Sequence, residues 1–164
     1  MKIGLISDTH VPTRAKEIPK DFLDFFKENN VDLIIHCGDI EDEKVLDELN
    51  KIAETKAVLG NIDYLDLPEK LIFNIENYKV LVFHSDIIYP RGDKDKLVEF
   101  AKLNNANVVI FGHTHIPLFT YYRGVYLINP GTATGVRSGE TKDVVKSVAI
   151  LEIKDKLNVK FLVI

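Results

Sequence analysis

Lys2-Ile3-Gly4-Leu5-Ile6-Ser7-Asp8-Thr9-His10 is the stretch whose reading decides the fold. An apolar run begins at Ile3 and stops abruptly before a carboxylate, a hydroxyl and an imidazole. A short apolar run bounded by polar residues predicts a buried strand over Lys2 to Ser7, with Asp8 and His10 in the loop that follows it. The same grammar recurs downstream. Asp32 to Cys37 runs into Gly38-Asp39, Lys56 to Leu59 into Gly60-Asn61, and Val108 to Phe111 into Gly112-His113-Thr114-His115, while Lys79 to His84 ends on an imidazole.

Between these runs lie helical patterns. Pro19 to Asn29 places Phe22, Phe25 and Phe26 on one face, Asp42 to Ile52 predicts a second helix, and Asp93 opens a third. Leu71 to Ile75 and Lys79 to His84 form a hairpin across Glu76-Asn77-Tyr78. Leu118 to Tyr122, Val125 to Asn129, Ser147 to Ile153 and Leu157 to Val163 read as strands separated by turn residues. An α/β first part followed by a β-rich end, without a linker, predicts two sheets packed face to face with helices outside. Residues 1–164 are accordingly read as a single domain.

With 46% hydrophobic and 28% charged residues the chain can build a sizeable core and remain well solvated. Its net charge of -4 supplies no positive field, which argues against strong binding to a nucleic-acid backbone. No apolar stretch reaches membrane-spanning length and the amino terminus carries no basic leader, so the expectation is a cytoplasmic protein with no membrane partner. Cys37, the single cysteine, lies in an apolar strand and reads as a small buried hydrophobe.

The chemistry is carried by position. Asp8, His10, Asp39, Asn61, His84, His113 and His115 all fall just after, or at the end of, apolar strands. In layered α/β folds, strand ends deliver side chains from separate loops to one crevice. Singly, each residue is compatible with turn chemistry or a hydrogen-bonded histidine. Together, two Asp, one Asn and four His make a metal site. Mixed oxygen and imidazole donors without clustered thiolates suit Mn, Ni, Fe, Co or Zn. Seven donors exceed the needs of one ion and suit two divalent transition-metal ions sharing a carboxylate, an arrangement that points to phosphate-ester hydrolysis.

Asp8-Thr9-His10, Gly38-Asp39, Gly60-Asn61-Ile62-Asp63, His84 and Gly112-His113-Thr114-His115 resemble, in this order, the motifs of the calcineurin-like metallophosphoesterase superfamily. The short chain and Asn129-Pro130-Gly131-Thr132 resemble its small YfcE-like phosphodiesterase branch. The resemblance implies a four-layer αββα sandwich of two mixed β-sheets flanked by helices. It implies that Asp8, His10 and His115 bind a first ion, that Asn61, His84 and His113 bind a second, and that Asp39 bridges them. Manganese is the first expectation for the metal. It further implies attack by a metal-bound hydroxide on a small-molecule phosphodiester, with Asn61, His10 and Asp39 as the catalytic residues. A monoesterase with the same site, and a non-catalytic scaffold like the retromer subunit that resembles this family, are the alternatives.

Ile62 stands where larger members carry a histidine, so the leaving-group acid has no evident candidate beyond a loosely bound His10. Ser85 replaces the glycine that commonly follows the histidine at position 84. Asp86 either orients a histidine or opens a turn, and Arg137 either contacts phosphate or is solvated. His36 reads as a core histidine, Asp63 as a brace for the Asn61 loop, Asn129 and Gly131 as turn-shaping, and Tyr121 and Tyr122 as packed on a sheet.

Overall fold

The computed structural model describes residues 1–139 and 143–164. Its elements, in chain order, are β1 (Lys2–Ile6), α1 (Lys20–Glu28), β2 (Leu33–His36), α2 (Glu43–Asn50), β3 (Thr55–Ala57), β4 (Lys70–Ile75) and β5 (Tyr78–Phe83). They continue with α3 (Lys94–Leu103), β6 (Val108–Phe111), β7 (Leu118–Tyr122), β8 (Val125–Asn129), β9 (Ser147–Ile153) and β10 (Leu157–Val163).

Among the described residues, ten strands divide into two mixed sheets, ordered β10-β9-β1-β2-β3 and β4-β5-β6-β8-β7. In the first, β1, β2 and β3 are parallel, β9 pairs antiparallel with β1, and β10 pairs antiparallel with β9. In the second, β5, β6 and β8 are parallel and β4 and β7 are antiparallel edges. Strand alternation assigns each apolar residue a layer. Ile3 and Leu5 of β1 meet Val80, Val82, Val108 and Ile110 between the sheets. Ile6 turns outward onto Phe22, Phe26, Val45 and Leu49 of α1 and α2, as do Ile34 and Ile150. On the far side, Leu81, Val109 and Phe111 pack on Leu97, Val98 and Ala101 of α3. Each fully buried Ile, Leu or Phe contributes roughly 1.5–3 kcal/mol. The αββα order implied by the sequence resemblance is therefore the order observed.

Boundaries moved slightly. Pro19 is the N-cap of α1, where its missing amide hydrogen costs nothing. Asp42 and Asp93 cap α2 and α3 through side chains that accept from the amides of Lys44 and Lys96. The hairpin loop is Glu76-Asn77 alone, since Tyr78 pairs with Ile75. β3 stops at Ala57 because the Leu59 amide turns away to the carbonyl of Pro68. No described helix is long and apolar enough to cross a membrane.

Candidate metal centre

All seven residues follow strands, and both sheets contribute. Asp8 and His10 follow β1, Asp39 follows β2 and Asn61 follows β3; His84 follows β5, and His113 and His115 follow β6. Asp8, His10, Asp39 and His115, all buried, bring one donor atom each within 4.8 Å of one another. Asp39, His84 and His113 form a second such group. Asp39 belongs to both. Donors held 2.0–2.2 Å from one ion lie within about 4.4 Å of each other, so groups gathered within 4.8 Å come close to the spacing of a chelating set.

Asp39 Oδ2 is 3.5 Å from His10 Nε2 and 3.3 Å from His84 Nε2. Asp8 Oδ1 is 3.2 Å from His115 Nε2 and 3.8 Å from His84 Nε2. Asn61 Oδ1 is 3.0 Å from His84 Nε2. The test of whether the residues fit a metal lies in two atoms. Asp8 Oδ1 and His10 Nε2 are buried with no aligned hydrogen-bond partner among the described residues. A buried orphan acceptor costs about 1–3 kcal/mol, so two of them converging on one point suit a cation.

Electrostatics agree. Burial alone would raise the Asp8 carboxyl, but His115 and His84 outweigh it and hold it well below the usual carboxylate range. Burial would likewise raise Asp39, and the hydrogen bond from His84 reverses the shift. His84 is pushed up to about 9 because Asp39 and Asp8 overcome the desolvation that would lower it. Asp8 similarly raises His115 against its burial. Burial lowers His10 and His113. The carboxylates are held ionised by the imidazoles beside them, a pairing that a bound cation would replace.

Glycines make this density possible. A Cβ on Gly60 would lie 2.1 Å from the Asp39 amide nitrogen, and one on Gly112 would lie 2.2 Å from Ser7 Oγ and 2.9 Å from Asp8 Oδ2. Glycine before a donor residue thus permits close approach of loop to loop. The backbone is also left-handed at Asp8, His10, Asp39, His113 and His115, with φ from 47° to 68°. Such non-glycine conformations persist only where surrounding structure enforces them.

That enforcement comes from hydrogen bonds. Asp63 Oδ1 accepts from the amides of Ile40 and Glu41 at 2.9 and 2.8 Å, and Oδ2 accepts from Gly60 at 2.9 Å. It braces the Asp39 loop as well as its own. Asn129 donates to the Gly112 carbonyl and to Thr114 Oγ1, both at 3.0 Å, while Gly131 donates to Asn129 Oδ1. Thr132 Oγ1 donates to the Asp8 carbonyl at 2.8 Å.

The histidines are oriented by main-chain carbonyls. His84 Nδ1 donates to Cys37 O at 2.7 Å and His115 Nδ1 to Val136 O, which leaves each Nε2 for the cluster. Asp86 is exposed in a turn, so it opens that turn rather than orienting a histidine. Arg137 is exposed, and its carbonyl accepts from Arg14. His36 is a core residue: Nδ1 accepts from the Gly38 amide, Nε2 faces Thr9 Oγ1 at 3.1 Å, and burial pulls it down to about 3. Cys37 is buried, and burial raises its thiol. Tyr121 packs its ring on Tyr126 across β7 and β8 at 4.6 Å between centroids, whereas Tyr122 donates to Asp95.

Beside Asn61 and His84 opens a cleft of about 680 Å³, walled by Phe83, Phe100, Ile87 and Asp86. Two residues near the cluster carried no signal in the sequence. Arg14 and Arg91 lie close enough to His10 and His113, respectively, for their charges to add to the downward shifts of those histidines.

Comparison with known proteins identifies the family. A probable metallophosphoesterase of Methanocaldococcus jannaschii is 46% identical over 99% of this chain and 81% of its own length. Wild-type Vps29 of Entamoeba histolytica, solved in complex with Zn2+, is 27% identical with a TM-score of 0.88 over 99% of both chains. A structure described as a novel archaeal phosphodiesterase is 27% identical with a TM-score of 0.75 over 100% of both chains. The family model of the calcineurin-like phosphoesterase superfamily domain matches residues 1–156, and the chain therefore belongs to that superfamily.

Proposed function

We propose that the protein is a metal-dependent phosphodiesterase acting on small phosphoesters, with a two-ion centre in which Asp39 is the shared ligand. The observation that carries this reading is the membership of Asp39 in both chelating groups. Asp8, His10 and His115 complete one site, and Asn61, His84 and His113 the other. Two divalent transition ions, manganese first and Ni, Fe, Co or Zn as substitutes, suit the donor set. When bound, such ions supply an acidified water as nucleophile and Lewis-acid stabilisation of phosphoryl oxygens.

The chain's own residues do the rest. Asp8 and Asp39 hold negative charge where cations must sit, and the Cys37 and Val136 carbonyls keep His84 and His115 aimed inward. Asn61 turns Oδ1 toward His84, so its amide nitrogen remains to donate to a phosphate oxygen. His10 is buried and burial lowers its pKa, which favours the neutral imidazole that a metal ligand requires. The open cleft beside Asn61 has room for the second arm of a diester, and the likeness to the archaeal phosphodiesterase supports the same preference.

Purified protein loaded with manganese should hydrolyse bis(p-nitrophenyl) phosphate faster than p-nitrophenyl phosphate. A much faster monoester rate would convert the reading to a phosphomonoesterase. Asp39→Asn should abolish either activity while leaving the circular dichroism unchanged. The likeness to Vps29 supports a second reading, a non-catalytic scaffold, and wild-type protein inactive with every metal of the set would favour it.

A further inference from the structure

The chain contains four arginines, at positions 14, 91, 123 and 137. Arg123 is paired with Asp95 at 3.1 Å. Arg14 and Arg91 are exposed, and neither forms an ion pair with a carboxylate among the described residues. Both are nevertheless tethered. Arg14 lies in the turn that begins at His10, where its amide donates to the His10 carbonyl at 3.0 Å, and its guanidinium donates to the Arg137 carbonyl at 2.9 Å. Arg91 donates to Ser138 Oγ, which in turn donates to the His113 carbonyl at 3.4 Å. The Arg91 turn packs hard on the histidine loop, since a Cβ on Gly92 would lie 3.0 Å from Thr114 Cγ2.

The anchors are adjacent residues. One strip, Val136-Arg137-Ser138, holds His115, Arg14 and Arg91 in sequence order. Two guanidiniums anchored on adjacent residues, neither paired with a carboxylate among the described residues, gather positive charge that an anion would offset. A guanidinium fork matches phosphate oxygens bidentately. We propose that Arg14 and Arg91, set by Arg137 and Ser138 at the edge of the metal cluster, form an anion clamp that selects phosphoesters carrying a second phosphoryl group. The inference rests on the phosphoesterase reading and adds the substrate class.

Two substrates differing by one phosphate test it: the p-nitrophenyl ester of thymidine 5′-phosphate, and the same ester bearing a 3′-phosphate. The wild-type protein should favour the second by roughly tenfold or more in kcat/KM, as expected for charge-assisted hydrogen bonds. In the Arg14→Gln/Arg91→Gln double variant, which keeps hydrogen-bond donors for both anchors, that ratio should fall to about one while the thermal midpoint holds. Equal wild-type rates for the two esters, or a preference that survives in the double variant, would overturn the clamp. If neither ester is cleaved, the phosphodiesterase reading fails by itself. Calorimetry with thymidine 3′,5′-bisphosphate then reads the clamp directly, and equal binding by wild type and double variant would sink it.

Discussion

Asp8 Oδ2 accepts a hydrogen bond from the amide of His113 at 3.0 Å, joining loops 105 residues apart and belonging to different sheets. The contact requires Gly112, whose absent side chain leaves room for Ser7 and Asp8. Gly112→Ala should therefore cost about 1–3 kcal/mol through overpacking and lower metal affinity roughly 10–100-fold. Gly124→Ala is the contrast. Gly124 has a left-handed backbone but open space around it, so its substitution should cost about 1 kcal/mol with no effect on metal binding. Chemical denaturation and metal titration check both, and unchanged metal affinity in Gly112→Ala would refute the coupling.

Asp63 satisfies three backbone amides at once, two of them in buried hydrogen bonds and one in a part-buried one. Asp63→Ala should destabilise the chain by roughly 3 kcal/mol or more, because each orphaned donor costs about 1–3 kcal/mol. In a chain of this size that corresponds to a loss of roughly 6–12 °C in Tm. A thermal scan decides the matter, and a loss below about 2 °C would mean that water replaces the carboxylate.

His84 sets a pH dependence in metal-free protein. Its pKa is about 9 in the folded state against 6.5 ordinarily, so folding takes up protons between those values. Stability from this group is fully present below pH 6.5 and is lost as the pH rises through about 9; His115 shifts in the same direction. The Tm of chelator-treated protein should fall across this window. His84→Gln should flatten the decline, and added manganese should reverse it, because metal requires the deprotonated imidazole. A Tm that climbs between pH 6.5 and 9 would contradict the assignment.

Ile62 donates its amide to Asp39 Oδ1 at 3.2 Å, but its side chain offers no proton. Hydrolysis should consequently depend steeply on leaving-group acidity, with aryl esters far ahead of alkyl esters. Ile62→His should raise the alkyl rate by roughly 100-fold, the low end of general-acid catalysis. Measuring rate against leaving-group pKa for both proteins checks this. Parallel slopes would show that the position does not reach the leaving oxygen.

The layers and the seven clustered residues were legible because both depend on periodicity: apolar runs separated by helical or turn segments, each closed by a donor. Gly60 and Gly112 were visible as motif letters, but their reason, a neighbouring loop within 3 Å, is tertiary. The left-handed backbone at Asp8 or His113 could not be read locally, since Asp and His adopt it only when held. Asp86 is compatible in sequence with orienting a histidine or with opening a turn, and main-chain carbonyls, which no residue letter encodes, take the first task. Arg14 and Arg91 resembled any solvated arginine until Arg137 and Ser138 were seen to tether them.

Four of the donors hang from the sheet of β1, β2 and β3, and three from the sheet of β5 and β6. A chain in which only one sheet has formed can assemble neither chelating group, because each draws on both sheets. Metal capture should thus act as a checkpoint on maturation: half-folded chains stay empty and inert, and only a completed sandwich acquires the means to cut phosphate esters.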